Sequence, residues 1–165
     1  MGATRNIHRI ASEFRDRFRR RRVEKPRDVG YYKKEQVLIY NPRQTEKGIE
    51  ADFVPPRLGT PLAPYADHIY APALPVSAQQ IAIYSLKKKV DTRTHEILLT
   101  EAIGFKFRRK IHPKTRVITR LTEGETIQAG KETTLKTFKA KCFVKGDKNP
   151  FTHGEFTVAI TKKTG

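Results

Sequence analysis

The sequence predicts an α+β fold in which an antiparallel sheet covers one apolar helix. Between residues 76 and 90 the chain is apolar on nearly every side for three turns, as in a helix that is buried on most sides. After Asp91 the period changes to two, and four consecutive segments alternate apolar residues with Lys, Arg or Thr. Such strands form a sheet with one wet and one apolar face. The helix is what the apolar face would cover.

Two shorter strands are predicted before the helix. Residues 36–40 form an apolar run that ends at an Asn-Pro pair, and residues 49–54 alternate until a Pro-Pro pair. From that pair to Pro75, six prolines in 21 positions leave little room for a helix or for strand pairing. We expect a long ordered loop here, and long loops in compact domains often carry function.

The chain is strongly basic, with 34 Lys and Arg against 17 Asp and Glu and a formal net charge of +17. Residues 1–34 hold 12 basic and 4 acidic residues, which is about half of the net charge. Such a field attracts polyanions over a distance. Nucleic acid, an anionic membrane surface and an acidic carrier protein all fit, and charge alone does not choose among them.

Residues 1–30 are predicted to form a basic amphipathic helix and a linker, ahead of a main domain over residues 31–165. Apolar residues recur every three or four positions in the first part, with Arg on the opposite face. Three roles stay open: a helix docked on the domain, an arm at residues 5–22 that binds nucleic acid or a large assembly, and an organelle-targeting segment. Glu13 and Asp16 do not suit the third role, because transit peptides are poor in acids.

Several classes of protein are disfavoured. No run approaches the roughly 18 apolar residues that a membrane span needs, and no apolar core of a secretory signal follows the N-terminal charges. Cys142 is the single cysteine and has alternating neighbours, so we expect it on the inward face of a strand. The histidines lack metal-ligand spacing, and no Gly-rich phosphate loop is visible. We expect a soluble cytoplasmic protein, or one of an organelle matrix, without a metal or other cofactor.

Two segments resemble a known family. GFKFRRKIHPKTRVITRLT (residues 104–122) has an aromatic-rich strand, a basic pair, a turn and an alternating strand, and FKAKCFVKGD (residues 138–147) has a strand that ends in a Val-x-Gly turn. Over about residues 36–162 the chain is similar to hotdog-fold acyl-thioester proteins, which include thioesterases and beta-hydroxyacyl dehydratases. The resemblance implies a sheet wrapped around one central helix and side-by-side pairing into a homodimer.

Within that family the chain most resembles the mycobacterial-type long-chain fatty acyl-CoA thioesterases. Their loop and helix motifs lie over Asp67-His68-Ile69-Tyr70 and Ala78-Gln79-Gln80-Ile81-Ala82 without a gap. The family Gly before the His is Asp67 here, and the two Asn positions are Tyr70 and Gln79. The resemblance implies His68, Tyr70 and Gln79 as catalytic groups. Further expected substrate-binding residues are Tyr65, Gln80, Tyr84, Lys106, Arg108 and Arg109.

The first expected function is hydrolysis or binding of a fatty acyl thioester carried by CoA or an acyl carrier protein. In this hypothesis Gln79 orients a water, and His68 and Tyr70 form hydrogen bonds or transfer protons. Backbone N–H groups at the start of the helix polarise the carbonyl. Both CoA and a carrier protein are anionic, which gives the basic surface a role. Each named residue also has an ordinary structural role open to it, in packing, capping or solvation.

Two other functions remain. One is a catalytically silent hotdog module whose Arg-rich arm binds RNA or a large assembly. The other is dehydration of a beta-hydroxyacyl thioester, which needs a carboxylate beside the His. It is disfavoured because the family's acid falls at Ala82, and no Asp or Glu lies between His68 and Val90.

Overall fold

The structure, a computed structural model, describes Pro26, Val29 and residues 32–165. The predicted N-terminal amphipathic helix lies outside the described residues. After a short 3-10 turn at Lys34–Gln36, the described chain forms one α-helix and six strands. These are β1 (Ile39–Thr45), β2 (Gly48–Phe53), α1 (Ala73–Lys87), β3 (His95–Phe107), β4 (Val117–Gln128), β5 (Thr133–Val144) and β6 (Thr152–Lys162). No helix in this described part is both long and apolar enough to cross a membrane.

The six strands form one antiparallel sheet in the order β1-β2-β4-β5-β6-β3. The chain crosses from β2 through α1 to β3 at the opposite edge, and then fills the middle of the sheet with β4, β5 and β6. Helix α1 contacts all six strands. The predicted arrangement, a buried helix covered by antiparallel strands, is confirmed.

The bounds of the helix were predicted incorrectly. The sequence predicts a helix over residues 76–90, because a proline-rich segment ends at Pro75, but α1 spans Ala73–Lys87. Pro75 is the third residue of the helix. Its missing N–H costs nothing there, since the first N–H groups of a helix have no intrahelical acceptor.

The core lies where α1 crosses the middle of the sheet. Phe138 and Phe156 stack on neighbouring strands with ring centroids 5.4 Å apart, and Ile81 of α1 is fully buried in the same cluster. Burying one such side chain stabilises a fold by about 1.5–3 kcal/mol. Cys142 is also buried, as predicted, and burial raises the pKa of its thiol to about 12.

Gln80 ties the helix to the start of β1. Its side chain is fully buried. Its Oε1 accepts a hydrogen bond of 2.7 Å from the backbone N–H of Leu38, and its Nε2 donates one of 2.9 Å to the backbone carbonyl of Gln36. Both ends of the amide are therefore bound to backbone groups, and the bond from Leu38 is buried whereas the bond to Gln36 is partly buried.

Gly48 is where β2 begins, close against β4. Its φ is +128°, and a Cβ at this position would collide with the backbone carbonyl oxygen of Leu121. Gly130 has a similar φ of +117° but open space around it. We expect Gly48→Ala to lower the free energy of unfolding by roughly 2 kcal/mol more than Gly130→Ala, because only Gly48 adds a steric clash with rigid backbone. Urea denaturation of both variants measures this difference, and equal losses would contradict it.

Candidate functional site

The loop between β2 and α1, residues 54–72, is folded back on the turn that precedes β4. The backbone N–H of Ile69 donates a hydrogen bond of 2.7 Å to the carbonyl of Ile111, and the Ile69 side chain is buried. This anchor fixes the two neighbours of Ile69. His68 and Tyr70 are both half-buried, and both line a cleft at the surface.

The cleft has a volume of about 100 Å³ and is mostly apolar. Its walls come from the proline-rich loop, with Pro113 contributed by the turn before β4. Ligand pockets for whole small molecules are usually ≈ 300–1,000 Å³. This cleft is therefore the size of a reacting group rather than of a long acyl chain.

His68 is held in one orientation from two sides. Its Nδ1 lies 2.8 Å from Oδ1 of Asp67, and its ring stacks on Tyr65 with centroids 4.6 Å apart and planes 17° apart. Tyr70 meets the edge of Tyr65, at 5.9 Å between centroids. The three aromatic groups that the sequence predicted in this loop are thus brought together.

The contact with Asp67 sets the chemistry of His68. The hydrogen bond to His68 lowers the pKa of the Asp67 carboxyl, so near neutral pH Asp67 is an acceptor and Nδ1 carries the proton. In the neutral imidazole, Nε2 is then the free base. The His68 side chain is 20% exposed and lines the cleft.

We expect the Asp67 carboxyl to titrate below its ordinary value of 3.8 in the folded protein. Because the pKa of Asp67 is lower in the folded protein than in the unfolded chain, the pair stabilises the fold at pH values above the unfolded pKa. This stabilisation is lost as the pH falls through the folded pKa. A carboxyl-carbon NMR titration measures the midpoint. His68→Ala should raise it toward 3.8, whereas Lys110→Ala should raise it less, since Lys110 is the smallest contributor. An unchanged midpoint in His68→Ala would contradict the pairing.

The start of α1 does not offer the expected carbonyl-polarising site. The N–H of Ala73 already donates to the carbonyl of Tyr70 at 3.0 Å. The N–H of Leu74 donates to the carbonyl of Ala71 at 3.1 Å. Pro75, the next residue, has no N–H. The carbonyl-polarising donors were expected at the start of a helix over residues 76–90, whereas the helix begins at Ala73 and the N–H groups of Ala73 and Leu74 are used by tight turns.

The helix residues predicted for the site lie apart from the cleft. Oε1 of Gln79, a half-buried side chain, accepts a hydrogen bond of 3.4 Å from the Tyr32 hydroxyl. Gln80 holds β1, as described above. Tyr84 lies under the ammonium of Lys88, 4.5 Å from the ring centroid. None of the three helix residues lines the cleft.

The three predicted cationic residues stand at the end of β3. Lys106, Arg108 and Arg109 are all exposed. Arg109 forms an ion pair of 2.6 Å with Asp147, so its charge is partly compensated. Across the described residues, no group of three or more His, Cys, Asp and Glu side chains is placed to hold a metal ion.

Comparison with known proteins identifies the fold. A thioesterase variant from Pseudomonas aeruginosa superposes with a TM-score of 0.55 at 17% identity, over 76% of this chain and 82% of that one. A dehydratase heterocomplex from Xenorhabdus doucetiae superposes with a TM-score of 0.54 at 8% identity, over 81% and 87% of the two chains. The chain has a hotdog fold. No protein-family model and no curated protein matches the sequence.

Within this hotdog fold, the hydrogen bond between Asp67 and His68 was not predicted. In the sequence Asp67 is a departure from a family glycine, and the family's acid is expected on the helix. The adjacent Asp-His pair was the available signal. This signal was not sufficient, because the side chains of adjacent residues meet only where the backbone turns. Here the backbone turns beside Ile69, which is anchored to Ile111.

Proposed function

We propose that the protein hydrolyses acyl thioesters in the cleft beside His68. The observation that carries the proposal is the imidazole held between Asp67 and Tyr65 at an apolar cleft, in a fold that thioesterases share. A histidine with one nitrogen bound to a carboxylate and the other free acts as a general base near neutral pH.

In the proposed reaction, Nε2 of His68 takes a proton from a water molecule as its oxygen attacks the thioester carbonyl carbon. The hydroxyl of Tyr70 donates a hydrogen bond to the carbonyl oxygen, where negative charge develops. The carbon–sulfur bond then breaks, and His68 returns the proton to the leaving thiolate. The products are a carboxylic acid and a free thiol. The Asp67 carboxylate stabilises the imidazolium that forms between these steps.

Gln79 is proposed to contact a second part of the same substrate. It lies seven residues into the helix from Pro72, about 10 Å along the axis at 1.5 Å per residue. A thioester on a pantetheine arm is long and extended, so the reacting carbonyl and the arm or acyl chain need separate contacts. Gln79 would then bind or orient the substrate rather than activate the water.

A homodimer is proposed through β3, which is an edge strand of the sheet formed by the described residues. This strand is 13 residues long and lies at the edge of the sheet. An unpaired edge is a template for another strand.

The test is a panel of acyl-CoA and acyl-carrier substrates of increasing chain length, read by release of free thiol. We expect saturable hydrolysis of at least one chain-length class by the full-length protein. Absence of turnover with every substrate would contradict the proposal. Fatty acyl substrates are the favoured class. The small cleft does not define the length of the acyl chain, which the panel measures.

A second candidate is a binding module without catalysis. The observation that favours it is the excess of positive charge, since 12 of the basic residues lie in the first 34 positions. Binding to RNA through the Arg-rich segment at residues 5–22 would weaken steeply with added salt, because phosphate contacts release counterions. Salt-sensitive RNA binding together with no thioester turnover would select this candidate.

A further inference from the structure

Basic side chains from separate parts of the chain meet at one end of the sheet. The strand register places Lys106 of β3 opposite His153 of β6, and His153 opposite Lys141 of β5. These residues alternate with the inward-facing Phe156 and Cys142, so they stand in one row on the outer face. With strands about 4.8 Å apart, the row is about 10 Å wide.

The segment before β4 extends this row. Residues 106–116 contain six basic residues and no acidic one. Backbone hydrogen bonds hold the segment in place, from Arg108 N–H to Phe151 carbonyl at 2.9 Å and from Lys145 N–H to Arg116 carbonyl at 2.8 Å. We call six exposed residues here the cationic end. They are Lys106, Arg108, Lys110, Arg116, Lys141 and Lys145.

The cationic end carries an excess of positive charge, although Asp67 lies near Lys110 and Glu155 lies two residues along β6 from His153. The nearby ion pairs join Arg109 to Asp147 and Arg120 to Glu50, and involve none of its six members. The opposite end of the same sheet differs, because both signs are present there and are paired. Glu123 forms ion pairs with Lys89 and Lys136, and Glu132 forms one with Lys162.

The cationic end also borders the His68 cleft. The backbone bond from Ile69 to Ile111 joins the His68 loop directly to the residue after Lys110. Pro113, from the same basic segment, lines the cleft. A macromolecule bound to these side chains would therefore sit at the entrance of the proposed site.

We propose that the cationic end is the docking surface for an acidic carrier protein that presents its acyl thioester to the His68 cleft. This inference rests on the proposed thioester hydrolysis. The surface is about 10 Å wide across the strands and about 13 Å long from Lys141 to Lys145, at 3.3 Å per residue. A free CoA carries its charge at one phosphate-bearing end, whereas an acidic protein face can meet all six side chains together.

The experiment compares one acyl chain delivered as a CoA thioester and as a carrier-protein thioester, with the full-length protein at low salt. The test variant combines Lys106→Glu and Lys141→Glu. The control combines Lys47→Glu and Lys131→Glu, which make the same charge change at exposed turns of the opposite end. We expect the test variant to raise KM for the carrier substrate about tenfold and for the CoA substrate less than about threefold, with kcat retained. The control should leave both KM values unchanged.

Added salt should reduce the difference in KM for the carrier substrate between wild type and the test variant, because exposed charges are screened. If the test variant changes KM equally for both substrates, or changes neither KM, the docking inference is overturned. The hydrolase proposal is not affected by that result. If neither substrate is cleaved, the hydrolase proposal fails. The docking surface is then tested by titration with the unacylated holo carrier protein. Binding of duplex RNA in place of that carrier would overturn the inference.

Discussion

Replacement of His68 by alanine is expected to lower kcat for thioester hydrolysis by about 10²–10³-fold, because general-base catalysis by a positioned side chain contributes about 10²–10⁴-fold. KM should change much less, since the imidazole acts on the attacking water. Asp67→Asn should give a smaller loss, because the ring keeps its stacking on Tyr65 but loses the carboxylate that stabilises the imidazolium. Free-thiol release at saturating substrate measures both effects.

His112→Ala is the matched control for this experiment. His112 is exposed and lies next to Pro113 of the cleft wall, and its Nδ1 only accepts a hydrogen bond of 3.1 Å from the backbone N–H of Lys114. Activity should be retained in this variant. Gln79→Ala should raise KM, through loss of a substrate contact. Full activity in both His68→Ala and Gln79→Ala would reject the proposed site.

Replacement of Gln80 by leucine is expected to lower the free energy of unfolding by about 1–3 kcal/mol. Leucine has approximately the same volume as glutamine but lacks the amide that forms both hydrogen bonds. The N–H of Leu38 and the carbonyl of Gln36 then lose their hydrogen bonds. A buried, unsatisfied polar group costs about 1–3 kcal/mol, and this applies to the Leu38 N–H, since Gln36 is exposed and its carbonyl can bind water.

Gln79→Leu is the control for stability, since it makes the same chemical change one residue away. Gln79 is half-buried and has one long hydrogen bond to Tyr32, so the loss should stay within about 0.5 kcal/mol. Urea denaturation with a common slope compares the two variants. Similar losses for both would show that the contacts of Gln80 with β1 do not carry the stability assigned to them.

Gln79 and Gln80 show which structural roles can be predicted from this sequence and which cannot. Both occupy an apolar helix, and both were expected near a substrate. Periodicity places a residue on a helix face but does not say which backbone group of a distant strand needs a partner. The start of β1 lies 42 residues away from Gln80 in the chain. Only the folded chain assigns Gln80 to the core and Gln79 to an accessible face.

The proline-rich segment shows the same limit at the site. Its prolines correctly predicted a long loop, and Asp67 and His68 are adjacent in the sequence. Whether that pair makes a hydrogen bond depends on the anchor from Ile69 to Ile111, which joins parts of the chain 42 positions apart. The error at the start of α1 is of a local kind, because a proline in the first turn of a helix is as acceptable as one in the loop before it.

The sequence by itself determined the buried helix, the period-two strands and the excess of positive charge, because each depends on the spacing or the number of residues along the chain. The tertiary structure alone decided that Asp67 orients His68, that Gln80 serves the core, and that Lys106 and Lys141 share one surface with the segment before β4. These relations depend on strand register and loop anchoring between distant residues. Local periodicity does not encode them.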